Sequence, residues 1–421
     1  MDPFVAVLAS LDTKAAEAYH LRDVLDELGH PTRIVDIGLQ ATELTDPVRD
    51  VSAEVVAHAA GASLTDLREH TRRDRALAEL AAGAGLLLRV WHRAGQLTGV
   101  LAIGGNQGTE VAAAAMRPLP YGVPKVIVST VASGNVRGYV GDSDITMMFS
   151  VADLIGGPNA VTAPVLRGAA AAVAGMVAAG KPAQPGGARP LVAATAFGNT
   201  HPAVTTAIDR LRVAGIDTVA FHASGACGSA MERLVGEGVF AGVLDLTTHE
   251  LLGEIEPADI YAPVRPRLTA AGEWGIPQVL VPGGCEYFCF GAEETIPERL
   301  RDRPVHHHNL HNTNVRAGAA ELDRLGALFA ERANAATGPT TVLIPLKGWS
   351  HVGSPGGILH DPEANAALVA RLRADLAPHV EYRELDLSIN HPRFAVEAAE
   401  ALLRHLPDRA TATVTASVTA T

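Results

Sequence analysis

Short β-branched runs alternate with amphipathic helical runs along most of the chain, and this alternation limits the folds open to it. Phe4–Ala9 reads as a strand. Apolar Ala18, Leu21, Leu25 and Leu28 then recur at helical spacing, with Asp12 or Thr13 as the cap and Gly29 as the stop. Residues 32–37, 99–103 and Lys125–Ser129 read as further strands, and 52–60, 71–94, 108–116 and 165–179 as helices. Parallel strands need crossover connections, and helical crossovers cover both faces of the sheet. The expected class is α/β, with doubly wound, mostly parallel, Rossmann-like sheets.

A run of 421 residues is too long for one ordinary core, so two domains are expected. The break is at "GKPAQPGGARP", residues 180–190, which has no apolar period and reads as a linker. The pattern then restarts, with strands at 191–195, 218–222, 242–246, 278–281, 341–345 and 380–385 and helices at 203–214, 364–376 and 392–406. The domains implied are 1–183 and 184–408, with an interdomain cleft, and 409–421 reads as a frayed tail.

Composition excludes some classes of function. The net charge is −12 and no long basic run exists, which argues against a surface that tracks nucleic-acid phosphates. The three cysteines, Cys227, Cys285 and Cys289, are too few and odd in number for a disulfide framework, so a reducing, cytoplasmic setting is expected. The opening "MDPFVAVLAS" reads as a strand and not as a secretion leader, and no apolar run reaches bilayer length, so no membrane association is expected.

Ligands of doubly wound sheets bind where strands end, so the loops after strands carry the functional information. In "LAIGGNQGTEVAAAAM", Gly104, Gly105 and Gly108 leave backbone amides uncovered where a strand hands over to a helix, with Gln107 between them and Thr109 able to cap. Two readings fit: a tight chain reversal, or a phosphate cradle at a positive helix end. The loop is neither the Walker pattern nor G-x-G-x-x-G. "LDTK" sets Asp12, Thr13 and Lys14 after another strand, with the lysine able to pair a phosphate and Asp12 able to hold Mg²⁺ or a ribose hydroxyl. Ser129, Thr130, Ser133 and Gly134 follow a third strand and offer hydroxyls and amides. Three such loops in one domain point to a nucleotide.

The second half has its own polar loops, and five of their residues are expected to converge as a second site: His201, Glu286, His307, His308 and Lys347. Glu286, between Cys285 and aromatic Tyr287, is the acid/base candidate, and Lys347 the group that neutralises developing charge. Cys-x-x-Cys and His-Glu-x-x-His spacings are absent, so no metal site is assigned. Cys285 and Cys289 fit either small buried hydrophobes or a nucleophile, the latter needing a base such as His308 or His222.

"LASLDTK", "VLAIGGNQGTEVAAAAMRPLPYGVPKVIVSTVASGNVRGYVGDSDITMMFSV", "GVFAGVLDLTTHEL" and "HHHNLHNTNVR" together resemble one family, the ATP-binding domain family of the tomato mosaic virus resistance protein. The resemblance spans about residues 4–405. It implies two Rossmann-like subdomains, ATP in the first and a homodimer; the barrel domain that follows in the plant proteins is not expected here. The chain departs from the family pattern at Asn106-Gln107, at Ala15, at His201, at 224–229 and at 283–287. The first domain matches closely and the second departs at its loops, which implies retained nucleotide binding beside an altered second site. The expected function is an ATP-dependent enzyme that activates a small-molecule substrate, a carboxylate, in the manner of a ligase. A small-molecule kinase and a non-catalytic nucleotide-binding protein that acts through protein contact are the alternatives.

Overall fold

The computed structural model describes residues 2–180 and 189–406. The tail at 409–421 and all but the ends of the 180–190 stretch fall outside them. The chain divides into two compact units, Met1–Gly186 and Gly187–Thr421.

Unit 1 runs β1 (Phe4–Ala9), α1 (Leu11–Glu27), β2 (Thr32–Asp36), α2 (Ala53–Ala59), α3 (Leu64–Glu69), α4 (Arg73–Arg93), β3 (Leu97–Gly104), α5 (Asn106–Met116), β4 (Lys125–Ser129), α6 (Arg137–Val140), β5 (Thr146–Phe149) and α7 (Thr162–Ala178). Its five strands are parallel in the order β2-β1-β3-β4-β5. Every residue of β1 is buried. Phe4, Ala6 and Leu8 enter one core with α2–α5, while Val5, Val7 and Ala9 enter another with α1 and α7. A strand with two covered faces has no polar side, which is why it reads as a continuous apolar run.

Unit 2 runs β6 (Leu191–Ala196), α8 (His201–Val213), β7 (Asp217–His222), α9 (Ala226–Gly236), β8 (Gly242–Asp245), α10 (Glu250–Ile255), α11 (Ala270–Trp274), β9 (Gln278–Leu280), β10 (Tyr287–Phe290), β11 (Val305–Asn309), β12 (Asn312–Arg316), α12 (Ala319–Asn334), β13 (Thr340–Pro345), α13 (Pro362–Asp375), β14 (Glu381–Leu385) and α14 (Pro392–Leu403). Six strands form a parallel sheet in the order β14-β13-β9-β8-β6-β7. Again both faces are covered: Val342 and Ile344 of β13 enter one core and Leu343 the other.

Two features differ from the sequence reading. The helix expected over 71–94 is α4, which begins at Arg73 because the chain extends at Arg72 (φ −57°, ψ 137°), and it is preceded by a short helix, α3, that the sequence reading did not place. The segments around Glu286 and the histidines are not loops. They contribute to a three-stranded antiparallel sheet, β10-β12-β11, with Phe288 paired to Val315 and His307 to Thr313.

Candidate functional site

In unit 1 the strand order reverses between β1 and β3, and the loops leaving these strands part there, which is where such sheets hold ligands. Helix α1 starts at Leu11, earlier than a cap at Asp12 or Thr13 would allow. Its first amide is satisfied from outside: Leu11 N donates to Asp36 Oδ1 at 3.0 Å. At Lys14 the helix leaves helical geometry (φ −135°, ψ 25°), and Lys14 Nζ donates to the Leu154 carbonyl at 2.8 Å.

The glycines of the next loop have separate reasons. A Cβ on Gly104 would stand 2.6 Å from Thr109 N and 2.7 Å from the Gly108 carbonyl carbon, so close packing of strand end on helix requires glycine there. A Cβ on Gly105 would meet only Thr130 Oγ1, at 3.7 Å. Gly104 therefore serves the chain reversal, whereas the space beside Gly105 is not used by the fold. No side chain caps the first turn of α5, so its leading amides face outward with the positive end of the helix dipole.

A cavity of about 930 Å³ opens on these amides. Of the residues expected at a nucleotide, Asp12, Thr13, Lys14, Gly105, Gln107, Gly108 and Thr130 line it. The others do not. Gly104 is packed behind the loop, and Thr109 Oγ1 and Ser129 Oγ are buried on each other at 2.6 Å. Ser133 and Gly134 are exposed and off the lining. The cavity also gathers Arg68, Thr71 and Arg73, which the sequence reading missed; Arg73 Nη2 holds Gln107 Oε1 at 2.6 Å.

Behind the lining, Asp36 ends β2. Its Oδ1 accepts from Leu11 N and from Gly38 N at 2.9 Å, and Oδ2 has no hydrogen-bond partner among the described residues. Burial pushes this carboxyl up to about 6, and nearby Asp12 adds to the effect. A Cβ on Gly38 would stand 3.1 Å from Asp36 Oδ1 and 3.2 Å from Asp12 Oδ1, so the two carboxylates approach one point. Oxygen donors converging in this way suit a hard divalent cation.

Unit 2 treats its glycine-rich turn differently. Gly225 and Gly228 donate backbone amides to Glu250 Oε1 at the start of α9, and any side chain on Gly228 would collide with that carboxylate. The turn is filled from within. Glu250 in turn pairs with Arg267, fully buried, which also holds Glu232 and Asp245. Burial raises the Asp245 carboxyl to about 6, against the pull of Arg267.

The five residues expected to converge in this half do not. Glu286 is fully buried under Gly353, and neither of its oxygens has a hydrogen-bond partner among the described residues. Burial raises its pKa, with Ser350 opposing. Lys347 is exposed and pairs with Asp386 at 2.7 Å. His201 is exposed at the start of α8, and His307 faces solvent 3.9 Å from Glu293. His308 lines a pocket of about 170 Å³ shared with His222 and Cys289. β11 alternates its side chains, sending His307 and His308 to opposite faces, while Glu286 is enclosed and His201 and Lys347 stand exposed on other elements.

Two domain models of one uncharacterised protein family, UPF0261, match the chain: the N-terminal domain over residues 3–182 and the C-terminal domain over 189–406. A UPF0261 protein of Clostridium tetani is 36% identical over 404 residues, covering 96% of this chain and 99% of that protein. One from Mesorhizobium japonicum is 37% identical over 402 residues, covering 94% and 97%. The ToMV resistance protein Tm-1 of Solanum lycopersicum is 32% identical over 429 residues, covering 96% of this chain and 56% of that protein. Among the described residues, no helix is long and apolar enough to cross a membrane.

Proposed function

The chain belongs to the uncharacterised protein family UPF0261 across both of its domains, and from that premise we propose that unit 1 binds ATP with Mg²⁺ and that the chain uses it to activate a small-molecule carboxylate. The observation that carries the reading is the 930 Å³ cavity at the strand-order reversal, within the range of small-molecule sites. There the uncapped start of α5 and the side chains of Lys14, Arg68 and Arg73 surround space that Gly105 leaves open. Phosphate oxygens would accept from the amides of Asn106–Gly108, with the three cations offsetting their charge. Asp12, with Asp36 behind it, would hold the metal ion. Catalysis would then rest on positioning and charge stabilisation at the transferred group.

Calorimetric titration with ATP and Mg²⁺, followed by product analysis over a panel of carboxylates, tests the reading. AMP or ADP together with a joined product supports it. Absence of ATP binding at millimolar concentration sinks it. A phosphorylated product with ADP would make the chain a kinase. Binding without turnover would favour a protein that works by contact, the reading encouraged by the name of the plant relative. The family resemblance also supports a homodimer; light scattering at micromolar concentration that returns the monomer mass removes it. All three cysteines are free, in keeping with a reducing, cytoplasmic setting.

A further inference from the structure

In the second sheet the strand order reverses between β6 and β8. The pocket of about 170 Å³ lies beside that reversal, lined by Phe197 and Asn199 after β6 and by His222 at the end of β7. The antiparallel sheet supplies the opposite wall, including Cys289 and Asn314. A cavity of this size holds a single-ring molecule.

Behind Cys289 lies His249, fully buried. Its Nδ1 is 2.7 Å from the Gly284 carbonyl oxygen. A carbonyl only accepts, so Nδ1 carries a ring proton, and Nε2 is the nitrogen left to take a proton from Cys289. Nε2 has no hydrogen-bond partner of ordinary geometry among the described residues, and Asp259 Oδ2 lies 3.4 Å away. Burial opposes a charge on this ring, yet Cys289 and Asp259 outweigh it and hold its proton affinity well above the usual range. Asp259 is itself fixed, accepting from Cys289 N at 2.8 Å and from Tyr261 N at 2.8 Å. Asn314 Nδ2 donates to Cys289 Sγ at 3.1 Å, an interaction that favours sulfur bearing negative charge. Burial raises the Cys289 pKa, while His249 and Asn314 oppose that rise. On the pocket wall, Tyr287 Oη accepts from Asn199 at 3.1 Å and Tyr261 Oη from Asn312 at 2.9 Å, which leaves each phenol proton free to donate.

We propose that this pocket is an acyl-accepting site, in which Cys289 attacks the activated carbonyl of a small ester, thioester or acyl phosphate and His249 takes the thiol proton. As the S–C bond forms, the carbonyl π pair moves to oxygen, where the Tyr261 and Tyr287 hydroxyls donate to it. When the pair returns, the leaving group departs with the proton from His249 and the acyl group remains as a thioester on Cys289. Water, deprotonated by His249, then cleaves the thioester and the thiol regains its proton. Gly284 and Asp259 orient the ring.

The test uses the whole chain and p-nitrophenyl acetate, without ATP, so its outcome is separate from the nucleotide reading. Cys227 is the more exposed of the two thiols compared, and access alone would acetylate it first. An activated site acetylates Cys289 first, by at least ~10-fold in rate, with a burst of p-nitrophenolate. In His249→Asn the rate at Cys289 falls ~100-fold while the rate at Cys227 is unchanged, which also reports that the fold survives. Peptide mass spectrometry that finds acetyl on Cys227 first, or no acetyl on Cys289, overturns the proposal. So does a His249→Asn variant of intact fold whose Cys289 rate matches the parent.

Discussion

Lys14 Nζ and the Leu154 carbonyl are held at 2.8 Å across 140 residues of chain. The bond uses one of three ammonium protons and turns the side chain toward the cavity. Replacing Lys14 by Met keeps the stem and removes the charge. Charge-assisted hydrogen bonds contribute about 1.5–3 kcal/mol, so ATP affinity is expected to fall at least ~10-fold. Calorimetry on Lys14→Met checks this, and an unchanged Kd would remove Lys14 from the nucleotide site.

The two neighbouring glycines should behave oppositely. Gly104→Ala forces backbone against backbone, so a lower Tm is expected whatever the ligand. Gly105→Val meets no backbone and should melt like the parent while weakening ATP binding. Thermal melts and titration of both variants separate the roles; equal losses of Tm would show that both glycines serve the turn.

Asp36 makes stability depend on pH. Its folded carboxyl titrates at about 6, while an unfolded aspartate titrates near 3.9. Between these values the folded state binds more protons, so stability falls as pH rises through the window and is lowest above it. The difference amounts to at most about 3 kcal/mol. On acidification from pH 7.5 to 5, the parent should gain Tm relative to Asp36→Asn. Parallel curves for the two would contradict the assignment.

Removing Glu250 leaves Arg267 Nε and the amides of Gly225 and Gly228 buried without an acceptor. Glu250→Ala should cost about 3–5 kcal/mol, measured by denaturant unfolding. Glu250→Gln keeps an acceptor for Gly225 and Gly228 and should cost less. Equal losses would mean that charge, and not the filled turn, governs the site.

Both parallel sheets were legible from the sequence because their central strands are buried on both faces and their strands alternate with helices. Thr146–Phe149 was not, since it is short, stands half-exposed at the sheet edge and follows a long polar loop that masks its apolar Met147-Met148-Phe149 run. Asn312–Arg316 was hidden because "NTNVR" reads as polar turn residues, yet these residues are mostly buried by pairing between β10 and β11. Glycine loops announced the cavity, but Arg68 and Arg73 reach it from the break between α3 and α4, which has no spacing signature. Asp36 did have one, as the acid that closes an otherwise apolar strand end, Ile34-Val35-Asp36. His249, Asp259 and Cys289 are brought together by tertiary packing alone.

The filled turn of unit 2 bears on stoichiometry. A carboxylate already seated on the amides of Gly225 and Gly228 does there what a phosphate would do, and it is covalently part of the chain. External phosphate must displace it and leave Arg267 short of a partner. Although the chain carries two glycine-rich strand-to-helix turns, a titration with nucleotide should therefore saturate at one equivalent per chain.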